Sequence, residues 1–118
     1  MQVKTYKELV VWQKSMDLVV EVYKLASLLP KDEMYGLASQ MKRAAVSMPS
    51  NIAEGFRRNH KPEQTQFLSV AYASGAELET QIEICKKLGF CTTDQTKTAA
   101  ALLDEVMRML NKLSRIDR

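Results

Sequence analysis

From Leu9 to Leu113, apolar residues return every three or four positions, and the pattern is interrupted at Pro30, at residues 59–62 and at Gly89-Phe90. That period is helical, and no stretch alternates apolar and polar residues as a half-buried strand would. The chain is therefore expected to be all-α: four helices joined by short turns, which favours an up-down-up-down four-helix bundle. Its 118 residues form one domain, long enough to bury its own core without metal or disulfide staples.

Local signals set the bounds. Thr5-Tyr6-Lys7-Glu8 has capping-box spacing ahead of a first helix from Leu9 to Leu29, which Pro30 ends. Asp32 is a plausible N-cap for a second helix reaching about Arg58. Pro62 suits the first position of a third helix, which continues to Leu88 and is stopped by Gly89 followed by an apolar Phe90. Thr92-Thr93-Asp94-Gln95 is a second capping box, and Ala99, Leu102, Leu103, Val106, Met109, Leu110, Leu113 and Ile116 form the apolar face of helix four.

Helix one is apolar over too wide an arc. Val11, Leu18, Val22, Leu25 and Leu29 make one stripe, and Trp12, Met16, Val19, Tyr23 and Ala26 make another beside it. With Leu9 and Val20 they span roughly 200°, about twice what one core requires. The excess suggests that part of this face belongs to another subunit, with Val11, Trp12, Leu18, Val22 and Tyr23 as the candidate contact.

Helix two carries a contradiction, because its core face of Met34, Leu37, Met41, Ala44, Ala45, Met48 and Ile52 runs through Pro49. Proline there cannot donate to the Ala45 carbonyl, so a bend is expected. Gly55 falls on the same face, where a missing side chain lets another backbone approach. The opposite stripe, Gly36, Gln40, Arg43, Ser47, Ser50, Asn51, Glu54 and Arg58, is rich in small polar residues. It reads as a packed polar seam of Gln40, Arg43, Ser47, Asn51 and Glu54, with Glu77 of helix three pairing with Arg43. The alternative is that Arg43, Glu54 and Glu77 are surface residues making weak pairs.

Reactive chemistry is sparse. His60 is the one histidine, the glycines form no phosphate loop, and no Glu-x-x-His repeat offers a di-metal site. Neither catalysis nor a cofactor or metal is expected. Cys85 and Cys91 suggest a buried thiol and an ordinary free thiol in a reducing compartment; a disulfide or metal pair is the alternative. The start of the chain lacks signal-peptide character and no run could span a membrane, so a cytoplasmic protein is expected.

The net charge is +3, but residues 33–61 hold five basic and two acidic groups. Arg57, Arg58, His60 and Lys61, with Lys42 and Arg43, form the candidate RNA- or DNA-binding surface, since arginine grips phosphates through two donors at once. A solvated turn whose arginines offset the helix dipole reads equally well for one chain alone.

Val11-Trp12-Gln13-Lys14, Pro30 through Glu33 to Tyr35-Gly36-Leu37, Ser39-Gln40 with Arg43-Ala44, Ser47, Asn51-Ile52-Ala53-Glu54-Gly55, Phe67-Leu68, Glu77-Leu78-Glu79 and Leu88-Gly89-Phe90 carry a resemblance nearly the whole way to Phe90. The chain resembles the four-helix-bundle family of intervening-sequence proteins, named for open reading frames within bacterial 23S ribosomal RNA genes. The resemblance implies a homo-oligomer, a pentameric ring being the favoured form, with no catalytic residue. A related branch, the accessory protein of diversity-generating retroelements, is a basic pentameric barrel that works with a reverse transcriptase. RNA or DNA, or a nucleic-acid enzyme for which the chain is an adaptor, are therefore the expected partners.

Overall fold

The computed structural model describes residues 4–116, with side chains described to residue 114. Ile116, assigned to the face of helix four, thus has its side chain outside the described residues. Four helices appear, α1 (Val10–Ala26), α2 (Leu37–Phe56), α3 (Lys61–Lys87) and α4 (Thr93–Ile116), preceded by short 3-10 turns at Tyr6–Glu8 and Lys31–Glu33. Among the described residues there is no strand. Packing joins α1 to α2, α2 to α3, α3 to α4 and α1 to α4, and among the described residues the backbones of neither diagonal pair come close. The four helices therefore stand as a square around one core, 44 Å long and 23 Å across.

Specific contacts give the sense of the neighbouring helices. Along α2 and α3, Gly55 lies against Phe67, Met48 against Gly75, Ser47 against Ser74 and Met41 against Cys85, so numbering falls on one helix as it rises on the other. Arg57 over Tyr6 and Lys42 over Tyr23 do the same for the opening segment and α2.

Two of the predicted starts are displaced. The Thr5 hydroxyl accepts from Lys7 N at 3.4 Å, but it caps a single 3-10 turn, and Leu9 is extended before α1 begins. Helix two begins not at Asp32 but at Leu37, whose N–H donates to Glu33 Oε1 at 3.2 Å. Periodicity cannot separate a 3-10 turn from the first turn of an α-helix, and the consequence is large for Met34, which is exposed rather than part of the core.

The other ends form as their residues dictate. Phe90 N donates to Cys85 O at 2.9 Å and Gly89 N to Lys86 O at 3.0 Å, the paired bonds of a Schellman motif. Gly89 supplies the φ of +77° that the motif needs. Thr92 N donates to Gln95 Oε1 at 2.9 Å while Gln95 N donates back to Thr92 Oγ1 at 3.1 Å, a complete capping box. Pro49 sits buried within α2, which continues through it. Gly55 admits α3 closely: a Cβ there would lie 3.2 Å from Phe67 Cβ and 3.3 Å from Gln64 O.

Both cysteines are free, and Cys91 is buried as well as Cys85. Cys85 contacts Met41 Sδ at 3.4 Å, and its thiol is pushed up from 9.0 to about 11, chiefly by burial, with Cys91 and Glu33 adding to the rise. Burial also raises Cys91. Because the folded value exceeds the unfolded one, the neutral thiol's contribution is complete below pH 9 and is lost as pH climbs through about 11. Urea unfolding from pH 8 to 11 should therefore show Cys85→Ala losing less stability with pH than the wild type, by on the order of 2 to 3 kcal/mol at the alkaline end. Parallel curves for the two proteins would count against a buried neutral thiol.

Candidate nucleic-acid interface

The basic residues separate into two groups. Arg57 and Arg58 close α2, while His60 is the N-cap of α3 and Lys61 its first residue, so these four meet at one corner of the bundle. Lys42 and Arg43 sit 15 residues earlier on α2, about 22 Å away at 1.5 Å per residue. A single surface of five cations and His60 is not what the fold builds.

At the corner, each arginine lies on an aromatic face. The Arg57 guanidinium is 5.5 Å from the Tyr6 ring centroid, and Tyr6 meets Trp12 edge to face at 5.3 Å. Arg58 lies 4.9 Å from the Phe67 ring and pairs with Glu54 at 3.0 Å. Gln64 Nε2 ties the turn by donating to Arg58 O at 2.7 Å. The cations remain exposed at their tips while their planes are held, which pre-orients the donors toward an anion. The N-terminus of α3 stands at the same corner and adds partial positive charge. Tyr6 and Phe67 entered the sequence reading only within a capping box and within the family resemblance, with no role at this corner; an aromatic within two turns of the start of α1 and of α3 was the available signal.

The polar seam is smaller than predicted. Ser74 Oγ donates to Ser47 Oγ at 2.9 Å, and Asn51 Nδ2 donates to Ser47 Oγ at 3.0 Å and Ser47 O at 2.7 Å. These half-buried groups join α2 to α3. Gln40, Arg43, Glu54 and Glu77 are exposed instead. The expected Arg43–Glu77 ion pair is absent among the described residues: Glu77 accepts from Gln81 Nε2 at 3.0 Å, and Gln81 is buried with its Oε1 unpartnered. Both charged residues are near the α2–α3 seam, but their side chains turn outward to water, where ionised groups are cheaper to keep.

The candidate oligomer contact also divides. Leu18 and Val22 are 0% exposed and Val11 is 5% exposed, so these three belong to the chain's own core and cannot meet another subunit. They form the inner stripe of α1, sealed by α2 and α4. The outer stripe remains available: Trp12 is half-buried, while Met16, Val20 and Tyr23 are exposed, joined across α2 by exposed Val46. Between them is a groove of about 320 Å³ lined by Tyr6, Trp12, Met16, Val19, Val46 and Pro49. It runs to the corner where Arg57 covers Tyr6.

The sequence pattern that defines the 23S rRNA-intervening sequence protein family matches residues 7–112. The chain belongs to this family. That stretch takes in all of α1, α2 and α3 and most of α4, so the intervening-sequence fold is the whole bundle and not an added module. A solved protein of unknown function from the S23 ribosomal protein family of Bacteroides thetaiotaomicron VPI-5482 is similar to it, with a TM-score of 0.82 and 21% identity over 89% of this chain and 98% of that one. At that identity the likeness speaks for the fold alone. None of the curated proteins matches. Among the described residues of this intervening-sequence chain, no three His, Cys, Asp or Glu side chains could hold a metal ion, and no helix is long and apolar enough to cross a membrane.

Proposed function

We propose that the protein is a non-catalytic homo-oligomer, most favourably a ring of five, that binds RNA or DNA in the cytoplasm through its α2–α3 corner. The observation that carries this reading is the apolar face of α1 and α2, left in water by the folded chain and continuous with the basic corner through Trp12, Tyr6 and Arg57. Covering that face with another copy would repeat the corner around the assembly. One corner supplies too few charges for tight phosphate binding, but several in register supply enough.

The test is binding to single- and double-stranded oligonucleotides across a salt series, beside light scattering with absorbance read at 260 and 280 nm. Affinity is expected to fall steeply with salt. Replacing Arg57 and Arg58 together by glutamine should flatten the log–log slope by about 1 for each phosphate no longer neutralised, with helicity unchanged. Affinity indifferent to salt and to both substitutions would reject phosphate binding at this corner.

A second reading, a scaffold or an adaptor for a nucleic-acid enzyme, draws on the Arg58–Glu54 pair and the two arginine–aromatic contacts. In it the arginines serve the chain's own corner. It predicts assembly with no nucleic acid bound at any salt concentration.

A further inference from the structure

Three sulfur atoms come together in the core at the end of the bundle away from the basic corner. Cys85 Sγ, near the end of α3, lies 3.4 Å from Met41 Sδ of α2. The Cys85 thiol is also within hydrogen-bond reach of the Cys91 thiol in the α3–α4 turn, so its one proton can go to either sulfur. Met41 and Cys85 are 0% exposed and Cys91 is 4% exposed. Along α2 the distance from Met41 to Gly55, beside the corner, is about 21 Å.

We propose that Met41, Cys85 and Cys91 form a three-coordinate site for one soft monovalent metal ion, copper(I). The donor set selects the ion. Among the described residues no three His, Cys, Asp or Glu side chains come together, so zinc, which takes four such ligands in structural sites, lacks its third and fourth. Two thiolates and a thioether, with no nitrogen or oxygen among them, are the ligands that copper(I) prefers. The cysteine spacing left a metal pair open. The third donor comes from α2, and only the packing of α2 against α3 brings it in.

Each cysteine gives its proton to solvent as it binds, so one ion enters, two protons leave, and two metal–thiolate bonds form beside one thioether bond. No electron is transferred. The loaded site carries one net negative charge. The start of α4 at Thr93, two residues beyond Cys91, favours that charge, and Lys86 and Lys87 follow Cys85 directly on α3; Glu33 opposes it.

The space needs a small adjustment. A first-row metal lies about 2.3 Å from a thiolate sulfur, which sets three sulfurs around one ion about 4 Å apart. Met41 Sδ, now 3.4 Å from Cys85, has to draw back by roughly half an ångström, and an unbranched side chain with three rotatable bonds can do so. Thr92, next to Cys91, is exposed, as is Gly89, so the surface is one residue away and the ion has a way in.

The experiment titrates the reduced 118-residue chain, under argon, against copper(I) held by the coloured chelator bicinchoninate. Wild type is expected to withdraw one ion per chain, to release two protons and to unfold at a higher temperature once loaded. Cys85 and Cys91 are the only cysteines of the chain, so no other thiol competes. Cys91→Ser should abolish uptake. Met41→Leu, which keeps volume and helix, should weaken it by at least about tenfold, since loss of even an outer partner of a metal site costs about 10- to 100-fold. Circular dichroism checks that both variants are folded. Copper that stays with the chelator overturns the site. Uptake that survives Cys91→Ser marks one thiol acting alone, and affinity unmoved by Met41→Leu marks a clip of two thiols; either result overturns the three-sulfur site. Zinc taken up as tightly overturns the choice of ion. The basic corner is separate from all of this, and oligonucleotide binding should be the same in Met41→Leu as in the wild type.

Discussion

Gly75→Leu should cost at least about 3 kcal/mol, the largest loss expected from any single substitution in α3. The reason is space and not backbone freedom. A Cβ at position 75 would overlap Met107 Sδ and lie 2.9 Å from Met48 Cε, so α2 and α4 both close on this point of α3. Overfilling a packed core typically costs about 1 to 3 kcal/mol, and leucine adds three further carbons where the first already collides. Gly75→Ala is gentler, since two flexible methionines can give way and alanine gains about 1 kcal/mol of helix propensity over glycine; a net loss of about 1 to 2 kcal/mol is expected. Shortening Met107 to alanine in the Gly75→Ala background should recover part of the loss. Urea midpoints for the two singles and the double close the cycle, and additive losses would mean that Met107 is not what fills the space.

Leu18→Ala should cost about 2 to 5 kcal/mol, as expected for a leucine with no exposed surface inside a close-packed core. The comparison that matters is with Val20→Ser, two positions along the same helix and 55% exposed. The first should lower the unfolding midpoint and leave mass in solution unchanged at concentrations where the chain is folded. The second should leave intrinsic stability within about 0.5 kcal/mol and weaken association. If the effects were exchanged, the inner and outer stripes of α1 would have been assigned the wrong way round.

Those two stripes show how far the residues could be read. The 200° arc was visible on a wheel, and its excess did signal an uncovered face. Which half faces inward depends on where α2 and α4 lie, and a single helix does not contain that information, so Val11, Leu18 and Val22 were placed with the contact although the core takes them. Capping chemistry was legible wherever a side chain and a backbone group four or fewer residues apart make the bond, as at Thr92 and Gln95. It misled at Asp32, because the turn through Met34 and Gly36 uses Glu33 as its cap instead. Arg43 and Glu77 were placed correctly near one seam, but a wheel assigns no side-chain direction, and water outcompetes the pair. The corner of Arg57, Arg58, His60 and Lys61 was contiguous in the chain and so legible. Its separation from Lys42 and Arg43 follows only from the length of α2.

The order of packing around the square bears on how quickly the chain can reach it. α1 meets α2, α2 meets α3 and α3 meets α4, so three sides of the square join helices that are consecutive in the chain. Each of those pairings closes only a short loop and loses little chain entropy before contact is rewarded. The fourth side, α1 against α4, brings together segments from opposite ends, and the Lys14–Glu105 ion pair at 2.7 Å lies on it. Such a topology folds fast and places the α1–α4 side last, after the barrier. Weakening Lys14 or Glu105 would then be felt as faster unfolding, with the refolding rate scarcely changed.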